Sequence, residues 1–149
     1  MKLLTDHFSR VVVINCPHRP DRLERVVADL QKFADMGKVE IVRGVVGDWV
    51  TCPADWNSGA GAWGCLRTHQ RVIEDFIHVR DDRNQMALDS LLVLEDDVVF
   101  ADDALARLEE FMEVVPDDWG QIYLGGQHRS PFMPTTFACC VVGRSVNRT

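Results

Sequence analysis

At 149 residues with 46% hydrophobic content, the chain is long enough to bury one sizeable core and short for a second, so one domain over residues 1–149 is expected. A charged fraction of 26% and a formal net charge of -7 describe an ordinary soluble surface and exclude a broad basic field for capturing nucleic acid. No stretch approaches the roughly 20 apolar residues of a membrane span, and Met1–Phe8 carries no signal-peptide apolar run, so a cytoplasmic protein without a transmembrane segment is expected.

Val11-Val12-Val13-Ile14 is a β-branched apolar run of the kind that forms a buried strand, and the two prolines of Asn15-Cys16-Pro17-His18-Arg19-Pro20 stop it. From Asp21 the apolar positions Leu23, Val26, Val27, Leu30 and Phe33 recur at helical spacing, with Gly37 as a stop. Val39–Val42 reads as a second strand, which makes a βαβ opening with parallel strands. Residues 47–64 hold Pro53, several glycines and three tryptophans without a sustained period, and are expected to form a long loop. Helical spacing returns over Cys65–Val79, followed by the polar break Arg80–Asn84.

Leu91-Leu92-Val93-Leu94 lacks alternation, which predicts a strand buried on both faces, and Glu95-Asp96-Asp97 comes directly after it. A third helix is expected over Asp103–Val115, with acidic residues at its start and Pro116 closing it. Ile122-Tyr123-Leu124 before Gly125-Gly126 and the apolar run Thr136–Val142 read as further strands, and Ser145 resembles a helix N-cap. The pattern is that of an α/β fold with a mainly parallel central sheet flanked by helices, cut off at its C-terminus. The five cysteines are scattered and include no C-x-x-C pair; they read as reduced, mostly buried thiols, with Cys139-Cys140 in a core run.

The chemistry concentrates where strands end. In α/β sheets ligands bind beyond the carboxyl ends of the strands, where the acidic triplet falls. Alternation along an extended segment would point Glu95 and Asp97 the same way and Asp96 the opposite way. Two convergent carboxylates repel unless a cation separates them, so Glu95 and Asp97 are candidate ligands for Mn2+ or Mg2+, and the ion could in turn neutralise a diphosphate. Solvated turn acids are the plainer alternative. Arg19, Arg22 and Arg25 place guanidinium groups near the start of the first long helix, which suits phosphate. The glycines at 61 and 64 lead into a helix carrying Thr68 and His69, where His69 lies on the apolar face and reads first as a core histidine. His128 follows Gly125-Gly126-Gln127 and is read as a metal ligand, a base or a loop residue.

Taken in order, Val13-Ile14-Asn15 with Arg19 and Arg22, Gly61–His69, and Leu92–Val98 resemble glycosyltransferase family 25, which includes bacterial lipooligosaccharide galactosyltransferases and collagen galactosyltransferases. The resemblance spans about Val11 to Gly126. It implies a GT-A fold, a UDP-sugar donor (UDP-galactose in the best-known members), a saccharide or glycolipid acceptor, and inversion at the anomeric carbon. Asn15, Arg19 and Arg22 match the family's first donor-loop motif, and Gly64, Cys65 and His69 match its glycine-cysteine-histidine motif. Glu95, Asp96 and Asp97 match the acidic element that holds metal and donor. Where the family shows a Phe-Asp-Ala-x-Asp-Gly pattern, this chain has Val42–Gly47, with Asp48 one position later. An inverting transfer needs a base for the acceptor hydroxyl, and Asp118 and His128 are the candidates. Two other readings are a non-catalytic or truncated sugar-nucleotide-binding domain, suggested by the altered 44–48 region and the early end, and a metal-dependent phosphoester hydrolase, which uses the same carboxylates but leaves the other two motifs unexplained.

Overall fold

A computed structural model describes residues 2–79, 85, 87–125 and, as backbone, 127–128, 133–134, 141–142 and 146–147. The polar break at 80–84, Cys139-Cys140 and Ser145 lie outside the described residues. By internal contacts the chain divides into two units, Lys2–Ala101 and Asp102–Thr149.

The first unit is an α/β layer built on a three-stranded parallel sheet. A single helical turn, α1 (Leu4–His7), precedes β1 (Arg10–Asn15), whose β-branched residues Val11, Val12 and Val13 are almost completely buried. Each such valine contributes roughly 1.5 to 3 kcal/mol relative to exposure. The next helix, α2 (Pro20–Leu30), starts at a proline, which loses nothing at a first helical position because the N–H there has no intrahelical partner. Its Val26 and Leu30 are fully buried. The chain then enters β2 (Val39–Arg43), which pairs with β1 in parallel with Val13 opposite Ile41.

A long helix, α3 (Gly59–His78), leads to β3 (Leu91–Glu95), which pairs with the other edge of β1. The strand order is therefore β2-β1-β3. Val72 of α3 packs on Val12 and Ile14, with Val42, Leu91 and Val93 around them, and this cluster fastens α3 to one face of the sheet. The expectation of a doubly buried third strand is met instead by β1. In β3 only Leu92 is buried, because β1 flanks it on one side alone among the described strands.

The helix α3 begins six residues before Cys65, so a third of the expected long loop belongs to it. The cause is close packing of backbone on backbone. A Cβ on Gly47 would stand 1.6 Å from the Ala60 carbonyl oxygen, and one on Gly64 would stand 2.3 Å from the Val45 carbonyl oxygen. Glycine at both positions lets the first turns of α3 lie directly against the short 3-10 turn Gly47–Trp49, which offsets the poor helix propensity of a Gly-Ala-Gly start.

In the second unit, α4 (Ala104–Val114) buries Leu105 and Leu108 and ends just before Pro116. Two short antiparallel pairs follow, β4 (Gln127–His128) with β7 (Val146–Asn147) and β5 (Met133–Pro134) with β6 (Val141–Val142). Ile122-Tyr123-Leu124 is not a strand, since its backbone has no ladder partner among the described residues, and the segment read as opening a helix after Ser145 supplies β7 instead. Among the described residues no helix is long and apolar enough to cross a membrane.

Candidate functional site

Because β2 and β3 lie on opposite sides of β1, the chain leaves β1 in one direction and β3 is reached on the other. The carboxyl ends of β1 and β3 therefore flank a topological switch point, the place where open parallel sheets leave a crevice for ligands. Glu95 is the last residue of β3 and lies opposite Ile14, so Asn15 and Asp96 leave the sheet side by side.

Asp96 is the centre of this rim, and it points inward. Only 4% of it is exposed. Its Oδ2 accepts hydrogen bonds from the Asn15 side-chain amide at 2.8 Å and from the Cys16 backbone N–H at 2.9 Å, while Arg22 reaches Oδ1 at 3.4 Å. The Asn15 amide also donates to the Arg19 carbonyl at 3.1 Å, closing the loop between β1 and α2 on itself. A buried carboxylate is tolerable only when hydrogen bonds and a cation replace its water, and all are supplied by the segment Asn15–Arg22. Asp96 thus holds the rim together and has few lone pairs left for a cofactor.

The remaining acids separate. The extended geometry that would aim Glu95 and Asp97 together ends at Glu95, where Val98 N–H bonds back to the Glu95 carbonyl and turns the chain. Asp97 faces Arg22, with Nη1 at 3.1 Å from Oδ2, and keeps 38% of its side chain exposed. Glu95 meets α3 instead: its Oε1 lies 3.5 Å from His69 Nε2 and 3.9 Å from Cys65 Sγ. Among the described residues Cys65, His69 and Glu95 are the group whose donor atoms come within 4.8 Å of one another, and Asp97 is not in it. Glu95 and Asp97 therefore meet different partners, His69 and Cys65 on α3 for the one and Arg22 for the other.

The other expected site residues are placed as follows. Arg22 belongs to the rim, whereas Arg19 turns outward and forms a salt bridge of 2.7 Å with Asp21. That contact raises the Arg19 pKa and holds the Asp21 carboxyl down at about 2. Arg25 reaches the Asp96 backbone carbonyl at 3.4 Å. Gly64 serves the contact of α3 with residues 45–47, and Thr68 completes it by accepting from the Val45 N–H at 2.7 Å and donating to the Gly64 carbonyl at 2.8 Å. His69 is buried, and its Nδ1 lies 2.9 Å from the Cys65 carbonyl oxygen. Since a carbonyl only accepts, Nδ1 carries a proton there. Asp118 is exposed in the turn after α4, and His128 lies in β4 with its side chain outside the described residues.

Two features were not foreseen from the sequence. Cys65 reads there as a reduced thiol within the glycine-cysteine-histidine motif and was given no ligand role, although its four-residue spacing from His69 on a helix was the available signal. Trp49 is 63% exposed, with His18 edge-on at 5.3 Å and the Arg43 guanidinium 6.0 Å from its ring centre, which leaves a flat aromatic surface beside the loop after β2.

Comparison with known proteins agrees with the motif resemblance. A procollagen lysyl hydroxylase and glycosyltransferase of Acanthamoeba polyphaga mimivirus is 30% identical over 149 aligned positions, which cover 86% of this chain and 16% of that protein. An inactive glycosyltransferase 25 family member 3 of Homo sapiens is 31% identical over 142 positions, covering 83% of this chain and 23% of that protein. A probable inactive glycosyltransferase 25 family member 3 of Bos taurus is 30% identical with the same coverage. The chain spans between 16% and 23% of the length of these curated relatives. No protein-family model and no solved structure matches it.

Proposed function

We propose, from the similarity to glycosyltransferase family 25 members, that this chain is the nucleotide-sugar-binding part of a glycosyltransferase, with the donor diphosphate at the β1–β3 rim. The observation that carries this reading is the network around Asp96. It ties Asn15 and Arg22 of the first matching motif, with the Cys16 backbone N–H between them, to the acidic motif at a sheet switch point, where ligands of α/β folds are expected. Arg22 supplies the cation, and exposed Trp49 offers a face on which a base or a sugar ring can stack.

A hard divalent ion fits the rim in a limited way. Asp96 is occupied by its three donors and Glu95 is turned to α3, so Asp97 is the carboxylate that would hold Mn2+ or Mg2+, sharing it with water and diphosphate oxygens. Such an ion, when bound, offsets charge on a departing diphosphate. The chain's own residues do the positioning: Asp96 fixes the loop, and Arg22 is aimed at the rim. We assign the donor as a UDP-sugar, with galactose first among the sugars, and the acceptor as a saccharide or glycolipid attacked with inversion. The proton acceptor for its hydroxyl is assigned to Asp118 or His128.

A second reading, a sugar-nucleotide-binding domain without turnover, is favoured by the replacement of the family's acidic pattern at Val42–Gly47 and by the word inactive in the names of the human and bovine relatives. Calorimetric titration with UDP, UDP-galactose and UDP-glucose, with and without Mn2+, tests both. Binding that tightens with Mn2+ is expected, and absence of binding to every nucleotide overturns both readings. Transfer of sugar to a saccharide acceptor then separates the first from the second, and release of free phosphate or sugar without acceptor would instead indicate a hydrolase.

A further inference from the structure

We propose that Cys65, His69 and Glu95 form a binding site for a zinc-class divalent ion, separate from the carboxylate rim at Asp97. Cys65 and His69 stand one helical turn apart on the face of α3 that meets the end of β3, and Glu95 closes the group from the strand. Their donor atoms all lie within 4.8 Å of one another.

The spacing fits ligands around a common centre, with the Cys65 thiol in long sulfur contacts to both other side chains. An N···O separation of 3.5 Å between His69 Nε2 and Glu95 Oε1 exceeds ordinary N–H···O hydrogen-bond lengths. Tetrahedral zinc, with its usual bond lengths to nitrogen, oxygen and sulfur, sets roughly 3.4 Å between nitrogen and oxygen ligands and roughly 3.6 Å between sulfur and oxygen. The structure has 3.5 Å and 3.9 Å for these two edges. The Cys65 sulfur also lies 3.6 Å from Nδ1 of the same His69 ring and within 4.8 Å of the other donor atoms, so ion binding draws the three donors inward.

The histidine is also prepared for the role. A metal-binding histidine generally donates its second ring N–H to a carbonyl or carboxylate, which fixes the tautomer and orients the ring. His69 Nδ1 donates to the Cys65 carbonyl, so Nε2 is the nitrogen that carries the lone pair when the ring is neutral, and it is Nε2 that faces Glu95. The ligand set of one thiolate, one imidazole and one carboxylate selects a borderline ion such as Zn2+ or Co2+ over Mg2+. Among the described residues three protein ligands come together, and tetrahedral zinc takes a fourth ligand besides. Bound there, the ion ties the buried face of α3 to the carboxyl end of β3.

The site does not depend on the transferase reading, because it requires no nucleotide. In the full chain, Co2+ titration is expected to give one equivalent of tetrahedral binding with a thiolate-to-cobalt charge-transfer band. Cys65→Ala abolishes the band, and Asp97→Asn leaves it unchanged. Zn2+ affinity falls at least about tenfold in Cys65→Ala, since even loss of an outer partner has that effect at metal sites. A measurement on the unaltered chain covers the case in which the variant fails to fold: Zn2+ is expected to shield Cys65 from alkylation, read by peptide mass spectrometry, and a chelator to restore it. Alkylation of Cys65 at the same rate with and without Zn2+ overturns the proposal, as does a charge-transfer band that survives Cys65→Ala.

Discussion

Asn15 and Asp96, 81 residues apart in sequence, are joined by a buried hydrogen bond of 2.8 Å that links the ends of β1 and β3. Removing the acid leaves one Asn15 amide hydrogen and the Cys16 N–H without their acceptor, while Asn15 keeps its bond to the Arg19 carbonyl. Asp96→Ala is therefore expected to cost about 3 kcal/mol, the scale of breaking a buried charged network. Asp97→Asn, at a side chain 38% exposed, is expected to cost under about 1 kcal/mol. Urea denaturation of the two variants measures the difference, and equal costs would show that Asp96 is not the structural member of the triplet.

Two glycines of α3 have opposite expectations. At Gly64 an added Cβ meets the Val45 carbonyl oxygen at 2.3 Å and the Gly47 nitrogen at 2.7 Å, both backbone atoms that cannot turn aside. Gly64→Ala is expected to destabilise by about 3 kcal/mol or more. At Gly61 nothing lies within 4 Å of an added Cβ, so Gly61→Ala is expected to stabilise by about 0.5 to 1 kcal/mol through helix propensity. Thermal denaturation reads both, and a neutral Gly64→Ala would contradict the close approach of α3 to residues 45–47.

The same contrast explains how much could be read from the residues alone. Val11–Ile14, Pro20 and the run before Glu95 carry local signals strong enough to place β1, α2 and β3, and the strand end in turn places the acidic triplet. The start of α3 was hidden because glycine-rich sequence predicts a loop, while the reason for those glycines is a contact with residues 45–47 that local pattern does not contain. The separate directions of Glu95 and Asp97 were hidden because the alternation rule needs an extended chain, and the turn closed by Val98 begins at Glu95. Arg19 and Arg22 look equivalent in sequence, yet Asp21 draws one outward and Asp96 with Asp97 draws the other to the rim.

The Arg19–Asp21 pair has a pH signature. Its Asp21 carboxyl titrates at about 2 in the folded chain, below the ordinary 3.8, chiefly because Arg19 hydrogen-bonds the ionised form. A depressed folded pKa means that the pair's contribution is fully present above the ordinary value and is lost as pH falls through about 2. NMR titration of the Asp21 carboxyl should show that midpoint, and Arg19→Ala should return it toward 3.8. Because both side chains are exposed to solvent, the shift should shrink in high salt. An Asp21 midpoint unchanged by Arg19→Ala would remove Arg19 as its cause.

Arg22 and Arg19 also separate in binding. Arg22 Nη1 lies between Asp96 and Asp97 at the rim, at 3.4 Å and 3.1 Å, where an incoming diphosphate would meet it, while Arg19 is held by Asp21 in solvent. A hydrogen bond to a charged group is worth about 1.5 to 3 kcal/mol, so Arg22→Ala is expected to weaken UDP binding by roughly 10- to 100-fold. Arg19→Ala is expected to change it less than about threefold, the scale of an exposed ion pair. Titration calorimetry with UDP at fixed ionic strength distinguishes the two. Equal losses would place the phosphates over the start of α2 as a whole, and a larger loss in Arg19→Ala would move the donor off the β1–β3 rim.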